Sequence, residues 1–243
     1  TGIQNSYNLS FLAGKEKFNT ATTLGYYKED GTVINSGYKR YSLRSNNEYQ
    51  VNDFIRVGIN VAPTFQNSEN QQTGGTHGSN YLYGALITPA IFSPDDTNED
   101  GTQKVNFTAP SLFTFPNWKR SMAERTNIAS ATRLLSNAYA EVDFLKNFSF
   151  KSSVSIDLEN KKERYFNPST AGDIFAPPPK MATASYTTTD YSSWLTENTL
   201  NFNKTLDETH QIDALVGYSA QKYREEYNRL TGTDFPDDVI TWI

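Results

Sequence analysis

The chain has 243 residues, is only 37% hydrophobic and has a mean hydropathy of -0.62, yet it carries 15 Tyr, 15 Phe and 3 Trp. The absence of Cys excludes disulfides, thiolate chemistry and Cys-based zinc. A net charge of -5 without a basic run argues against a nucleic-acid partner. No apolar window nears the roughly 18 residues of a transmembrane helix, which leaves membrane β-strands open, since these barely register on hydropathy.

The first residues, Thr1-Gly2-Ile3-Gln4-Asn5, lack the basic start and apolar stretch of a signal peptide. From there the sequence reads as strand after strand with period two. Tyr7, Leu9, Phe11 and Ala13 share one face; Phe18, Thr20, Thr22, Leu24 and Tyr26 make the next strand. Tyr41, Leu43, Tyr49 and Val51 then oppose Arg40, Ser42, Arg44, Asn46, Glu48 and Gln50. In Phe54 to Gln66, Ile55, Val57, Ile59, Val61 and Phe65 alternate with Arg56, Gly58, Asn60, Thr64 and Gln66. Leu134, Ala138, Ala140 and Val142 oppose Arg133, Asn137, Glu141 and Asp143.

The clearest strand runs from Phe148 to Glu159. Phe148, Phe150, Val154, Ile156 and Leu158 face one way; Ser149, Lys151, Ser153, Ser155, Asp157 and Glu159 face the other. A helix would mix these two sets, whereas a pleated strand separates them. Trp194, Leu200 and Phe202 oppose Glu197, Asn201 and Asn203. Finally, His210 to Gln221 sets Ile212, Ala214, Val216, Tyr218 and Ala220 against Gln211, Asp213, Ser219 and Gln221. Most of these eight candidates approach or exceed the roughly 9–11 residues of a tilted membrane strand, while soluble strands average about 5–6.

A soluble sandwich alternates in the same way, so the connections decide. Short turns are expected at Gly14-Lys15-Glu16-Lys17, Asn52-Asp53, Leu145-Lys146-Asn147 and near Leu206-Asp207-Glu208. Longer links run from Glu29 to Gly37, over about 67–128 and over about 167–190. This short–long rhythm is that of an outer-membrane barrel with short periplasmic turns and long outer loops. It starts on a short turn, the reverse of a complete small barrel, and both ends of the sequence look abrupt. Residues 1–243 are therefore expected to be an internal part of one larger transmembrane barrel domain. The apolar face would meet lipid, with Tyr26, Tyr49, Phe54 and Phe148 near the interfaces, and the polar face would line a wet lumen. Arg40 and Arg44, beside Glu48, read as ladder pairs rather than a substrate site.

Several segments resemble SusC/RagA-family TonB-dependent transporters. Tyr7-Asn8-Leu9-Ser10 leads to Gly14 and a charged turn, then Leu24-Gly25-Tyr26 and Asp30-Gly31. Asn35-Ser36-Gly37-Tyr38-Lys39-Arg40-Tyr41-Ser42-Leu43-Arg44 and Val51-Asn52-Asp53-Phe54-Ile55-Arg56-Val57-Gly58 resemble an early barrel hairpin of that family. Ala138-Tyr139-Ala140-Glu141 with Phe148-Ser149-Phe150-Lys151 is similar to a later one. So is Asn198-Thr199-Leu200-Asn201-Phe202-Asn203-Lys204 with His210 to Tyr218. The resemblance implies an antiparallel up-and-down barrel of roughly 22 strands, of which about eight are in this chain and whose plug domain is absent from it. It also implies a bacterial outer-membrane location, a SusD-like surface lipoprotein as partner, TonB acting through the missing plug region, and import of oligosaccharides or peptides.

Chemistry-bearing motifs are few. Asp96-Thr97-Asn98-Glu99-Asp100-Gly101 fits the first half of a calcium loop, with oxygen ligands at alternate positions and Gly for the turn. Its twelfth position is Phe107 instead of Glu, so Asp96, Asn98 and Asp100 read first as a solvated acidic turn and second as a structural Ca²⁺ site. His77, in Gly74-Gly75-Thr76-His77-Gly78-Ser79, reads as a loop tip, and His210 is far from it in sequence. No Ser/His/Asp set or H-E-x-x-H motif stands out, and no enzyme is expected. The long 67–128 loop is of a kind usually functional or disordered. Within it, Tyr81 to Ile87 reads as a short helix over the barrel mouth. Tyr81, Tyr83 and Trp118 are candidate stacking platforms for a sugar or peptide, with packing inside the loop or against the lipoprotein as the alternative. Pro177-Pro178-Pro179 stiffens the next outer loop. Against the transporter stand two rival readings: a soluble β-sandwich carbohydrate-binding module, and a complete small adhesion barrel.

Overall fold

The computed structural model describes residues 2–71, 80–108, 114–207, 210–239 and 241; the segment around His77 lies outside them. Alternating residues that cannot bury a helical stripe form long strands instead. These are β1 (Ile3–Lys15), β2 (Phe18–Asp30), β3 (Gly37–Asn52), β4 (Ile55–Glu69), β7 (Thr126–Phe144), β8 (Phe148–Asn167), β9 (Thr183–Thr205) and β10 (Gln211–Thr233). All eight join one antiparallel sheet in chain order, and a separate small hairpin pairs β5 (Asn106–Thr108) with β6 (Thr114–Pro116). One continuous meander excludes the sandwich, which needs two facing sheets. Among the described residues β1 and β10 are the two edges, each pairing with one neighbour, so these eight strands do not close on themselves.

The register carries a stagger that betrays barrel geometry. Phe18 opens β2 opposite Tyr49, three residues before β3 ends at Asn52. Ile55 opens β4 opposite Val142, two residues before Phe144 closes β7. Phe148 opens β8 opposite Phe202, three residues before Thr205 closes β9. The offset runs the same way each time. With a rise of about 3.3 Å per residue and about 4.8 Å between strands, turns held at one level require a strand tilt of about 40–45°. That is the tilt of a membrane barrel wall.

The two faces differ in kind. On the outward face Tyr7, Tyr26, Tyr41 and Phe65 stand in register across β1 to β4, with successive ring centroids 6.2, 5.0 and 6.4 Å apart. Near the short turns Phe144, Phe148 and Phe202 form a second row, at 5.6 and 4.9 Å, and Phe18 faces Tyr49. Leu9, Leu24, Leu43, Ile59, Val154 and Ile156 fill the band between these levels. Large side chains here stay uncovered, with Val154 50% exposed in the middle of β8. An apolar band of this extent is far larger than a water-soluble monomer tolerates. Between two aromatic rows it matches the lipid-facing belt of a barrel.

The short turns fall where the sequence places them. They are Glu16–Lys17, Asp53–Phe54, Leu145–Asn147, and the link from Leu206 to His210, whose residues 208 and 209 are not described. Leu145 and Lys146 both adopt positive φ, 49° and 59°, as a tight hairpin demands. Two boundaries differ from expectation. β9 begins at Thr183, so the loop expected over 167–190 shrinks to 168–182, and β10 runs on to Thr233, twelve residues past Gln221. In both extensions neither face is apolar, so the period-two signal disappears while the backbone pairing continues. The loop expected over 67–128 is also structured, holding helix α1 (Tyr81–Ile87), the β5–β6 hairpin and helix α2 (Trp118–Glu124).

Candidate functional site

Two regions gather functional side chains: a packed cap on the long-loop side, and the polar inner wall. In the cap, Asn80 starts α1 by accepting a hydrogen bond from the Tyr83 amide at 3.1 Å. Asn117 starts α2 in the same way, accepting from the Arg120 amide at 3.2 Å. Such side chains satisfy amides that a helix start leaves free. Asn117 also donates to the carbonyls of Pro94 and Lys104 at 2.8 and 2.9 Å, pinning the acidic loop against α2.

The helix at Tyr81–Ile87 forms as the sequence suggests, but its ring has another role. Tyr81 is 1% exposed and Trp118 4%, and the two meet edge to face at 5.3 Å above Met122, Val33 and Ile174. The Trp118 indole N–H donates to Thr88 Oγ1 at 3.1 Å, and Gly84 leaves room for the indole, which any Cβ there would strike. Tyr81 and Trp118 are therefore not stacking platforms for a ligand, because the rings a ligand would cover are already covered. Tyr83 lies on the outer side of α1, beside exposed Leu82 and Leu86.

Arg125 binds the cap to the strands, and nothing in the sequence marked it. Its guanidinium lies 4.6 Å from the Tyr81 ring centre and 5.0 Å from that of Tyr165, and Nε donates to Asn167 Oδ1 at 3.0 Å. A buried cation between two aromatic faces gains from both ring quadrupoles. Burial pushes the Tyr81 hydroxyl well above the ordinary tyrosine pKa, despite the pull of Arg125 the other way. Other loops lock on as well. Asn35 donates to the carbonyls of Met122 and Ala123 at 3.2 and 2.8 Å, Thr170 bonds Glu124, and Ser169 donates to the Asp238 carboxylate through N at 2.8 Å and Oγ at 2.7 Å.

Asp96, Asn98 and Asp100, the residues of the calcium reading, lie in a turn laced by its own hydrogen bonds. Asp100 accepts from the Thr102 amide at 2.9 Å and the Thr102 hydroxyl at 2.6 Å, bonds that hold its carboxyl below the usual carboxylate range. Asn98 Nδ2 turns to Thr102 Oγ1 at 3.0 Å, and the Ser93 amide donates to Asp96 at 3.3 Å. A bridge between Thr97 and Gln103 closes the turn. Among the described residues no group of three or more His, Cys, Asp or Glu converges as a metal site. Carboxylate oxygens of Asp96 and Asp100 thus accept bonds within the turn.

On the inner wall the polar residues stack in rows. Asn46, Asn60, Asn137 and Ser155 stand side by side across β3, β4, β7 and β8. They line an open groove of about 740 Å³ together with Arg44, Asp157, Tyr191 and Gln221. Arg133 grips Asp157 with two bonds of 2.9 and 2.7 Å. Nearer the short turns the Tyr139 hydroxyl donates to Glu48 at 2.6 Å, the Lys151 ammonium sits 4.4 Å over the Tyr139 ring, and Arg56 pairs with Glu141 at 2.6 Å. The expected pairing of Glu48 with Arg40 and Arg44 gives way to this network; Arg40 instead lies 5.8 Å over Tyr27. Tyr139 can fold flat only because its neighbour across the strand is Gly58, where a Cβ would enter the ring. Gly58→Ala is accordingly expected to expel Tyr139, break its bond to Glu48 and cost about 1–3 kcal/mol. The check is the thermal midpoint of the full-length protein in detergent, with Gly217→Ala, where a Cβ would meet only ordinary van der Waals contacts, as reference.

No family model matches the chain. It is 28% identical over 232 residues to TonB-dependent receptor P3 of Formosa agariphila, covering 93% of this chain and 22% of that receptor. It is 26% identical to receptor P39 of the same organism, over 98% of this chain and 22% of the receptor. The chain thus spans about a fifth of the length of these relatives. In structure it matches the RagAB peptide transporter with a TM-score of 0.80 at 18% identity, covering 98% of this chain and 26% of that one. The RagAB peptide importer in its open-open state matches with the same score, and in its closed-closed state with 0.77. Fold and sequence kinship agree with the resemblance read from the strands: in sequence this chain is similar to a stretch of TonB-dependent receptors, and its sheet has the fold of part of the RagAB transporter barrel.

Proposed function

We propose that the whole protein imports oligosaccharides or peptides across the bacterial outer membrane, driven by TonB and working with a SusD-like surface lipoprotein. Its role is transport without catalysis, and this chain supplies part of the barrel wall and its outer cap. The single observation that carries the reading is the tilted sheet, apolar outside between two aromatic rows and polar inside. A wall of that polarity is stable when lipid lies on one side and a wet or protein-filled lumen on the other. The kinship with TonB-dependent receptors supports energy coupling, and the likeness to a peptide importer supports peptides as one of the two substrate classes.

The test is uptake by the host bacterium with and without the full-length gene. Labelled oligosaccharide and labelled peptide mixtures are offered separately. One of the two is expected to enter only when the gene is present, and to stop entering when the proton-motive force is collapsed. Equal uptake of both mixtures with and without the gene would contradict the proposal.

A further inference from the structure

On the outward face the first row beyond the aromatic Tyr7–Tyr26–Tyr41–Phe65 row changes character at once. Two positions along each strand stand Asn5, Lys28, Lys39 and Asn67, continued in register by Ser130 and Lys162. This row holds three ammonium groups and no carboxylate, in a chain whose net charge is -5. Lys28 is paired to Asp30 at 2.8 Å. Lys39 and Lys162 line a depression of about 340 Å³ together with Asn67, Ser130, Arg164 and the carboxylates of Glu29, Asp30 and Glu69. They stand three strand spacings apart, about 14 Å. Arg164 and Glu69 belong to the following row, with Ile128 between them in register.

The location fixes the occupant. Tyr and Trp rings mark the level of lipid headgroups; with the strand tilt the row climbs roughly 3 Å per strand away from the short turns, so Lys39 and Lys162 stand outside that level, where cations meet headgroup phosphates. We propose that Lys39 and Lys162, with the Asn67 amide and the Ser130 hydroxyl between them, form a binding site for the phosphate-bearing headgroup of an outer-leaflet lipid. Lysine binds phosphate as a point charge, and the amide and hydroxyl add donors to the remaining oxygens. The site rests on the outer-membrane reading above, since only a chain with this face in lipid would present it to a headgroup.

The experiment uses the full-length protein in detergent, titrated with phosphorylated lipid A and followed by native mass spectrometry. A lipid adduct is expected on the unaltered protein, with about thirtyfold weaker retention in a Lys39→Gln, Lys162→Gln double variant. Lipid A stripped of its phosphates should bind both forms equally weakly, and inorganic phosphate should not displace the adduct. Equal retention by the double variant, displacement by inorganic phosphate, or a protein dimer in place of the lipid adduct would overturn the site. Failure of the outer-membrane reading looks different: the protein would stay monomeric in buffer without detergent, and no lipid would bind either form.

Discussion

Val154→Arg in the full-length protein is expected to cost about 2–4 kcal/mol of folding stability, and the same substitution one residue on, Ser155→Arg, well under 1 kcal/mol. Val154 lies in the middle of β8 on the outward face, half exposed, with Ala138 and Thr196 opposite it on either side. An arginine there has no lumen to reach and no partner, and must sit in hydrocarbon or drag water toward itself. Ser155 points the other way, into the groove with Asn137 and Asp157, where a guanidinium is solvated and can pair. The contrast arises because the side-chain period is two, so neighbouring residues sample opposite solvents. Urea unfolding of the refolded protein in lipid vesicles reads both values. Equal costs at the two positions would mean that the faces are not differently solvated.

The second large effect belongs to the cap. Trp118→Ala is expected to destabilise the segment from Asn80 to Arg125 by about 3–5 kcal/mol, the cost of emptying a buried aromatic site. It removes the ring against which Tyr81 and Gly84 pack and leaves Thr88 Oγ1 without the indole donor. Leu86→Ala, at a position 84% exposed on the same helix region, should change stability by less than about 0.5 kcal/mol. Limited proteolysis separates them: new cleavages inside the cap for Trp118→Ala, an unchanged pattern for Leu86→Ala, and intact barrel strands in both. A Trp118 variant as resistant as the parent would show that the cap does not depend on this core.

These two positions mark what could be read in advance. The strands were legible where one face is apolar and the other polar, and Phe148 to Glu159 shows both sides of that code. The legibility ends where the strands leave the apolar band. Thr183 to Asp190, mostly Thr and Ser, and Lys222 to Arg229, mostly charged, pair as strands with no inside or outside to alternate between. In the cap, the short helix was visible in Tyr81 to Ile87, but the burial of its ring was not. An aromatic residue in a loop reads the same whether it waits for a ligand or packs on a tryptophan thirty-seven positions away. Arg125 was silent for a related reason, since its value comes from Tyr81, Tyr165 and Asn167, which only the fold brings together. The acidic turn reads first as a solvated turn because alternate oxygens suit Asx turns as well as calcium, while the bonds from Thr102 to Asp100 appear only in the fold.

The central claim is a wall with lipid on one side and a polar lumen on the other. Because these 243 residues contain no Cys, single cysteines can be placed along β8 without interference from elsewhere in the segment. Spin labels at each position from Phe148 to Glu159, in the full-length protein in lipid vesicles, report access to oxygen from lipid and to a charged relaxant from water. The wall described here predicts strict alternation, with 148, 150, 152, 154, 156 and 158 open to oxygen and 149 to 159 at odd positions sheltered from it. Equal access to the aqueous relaxant at all twelve positions would contradict it.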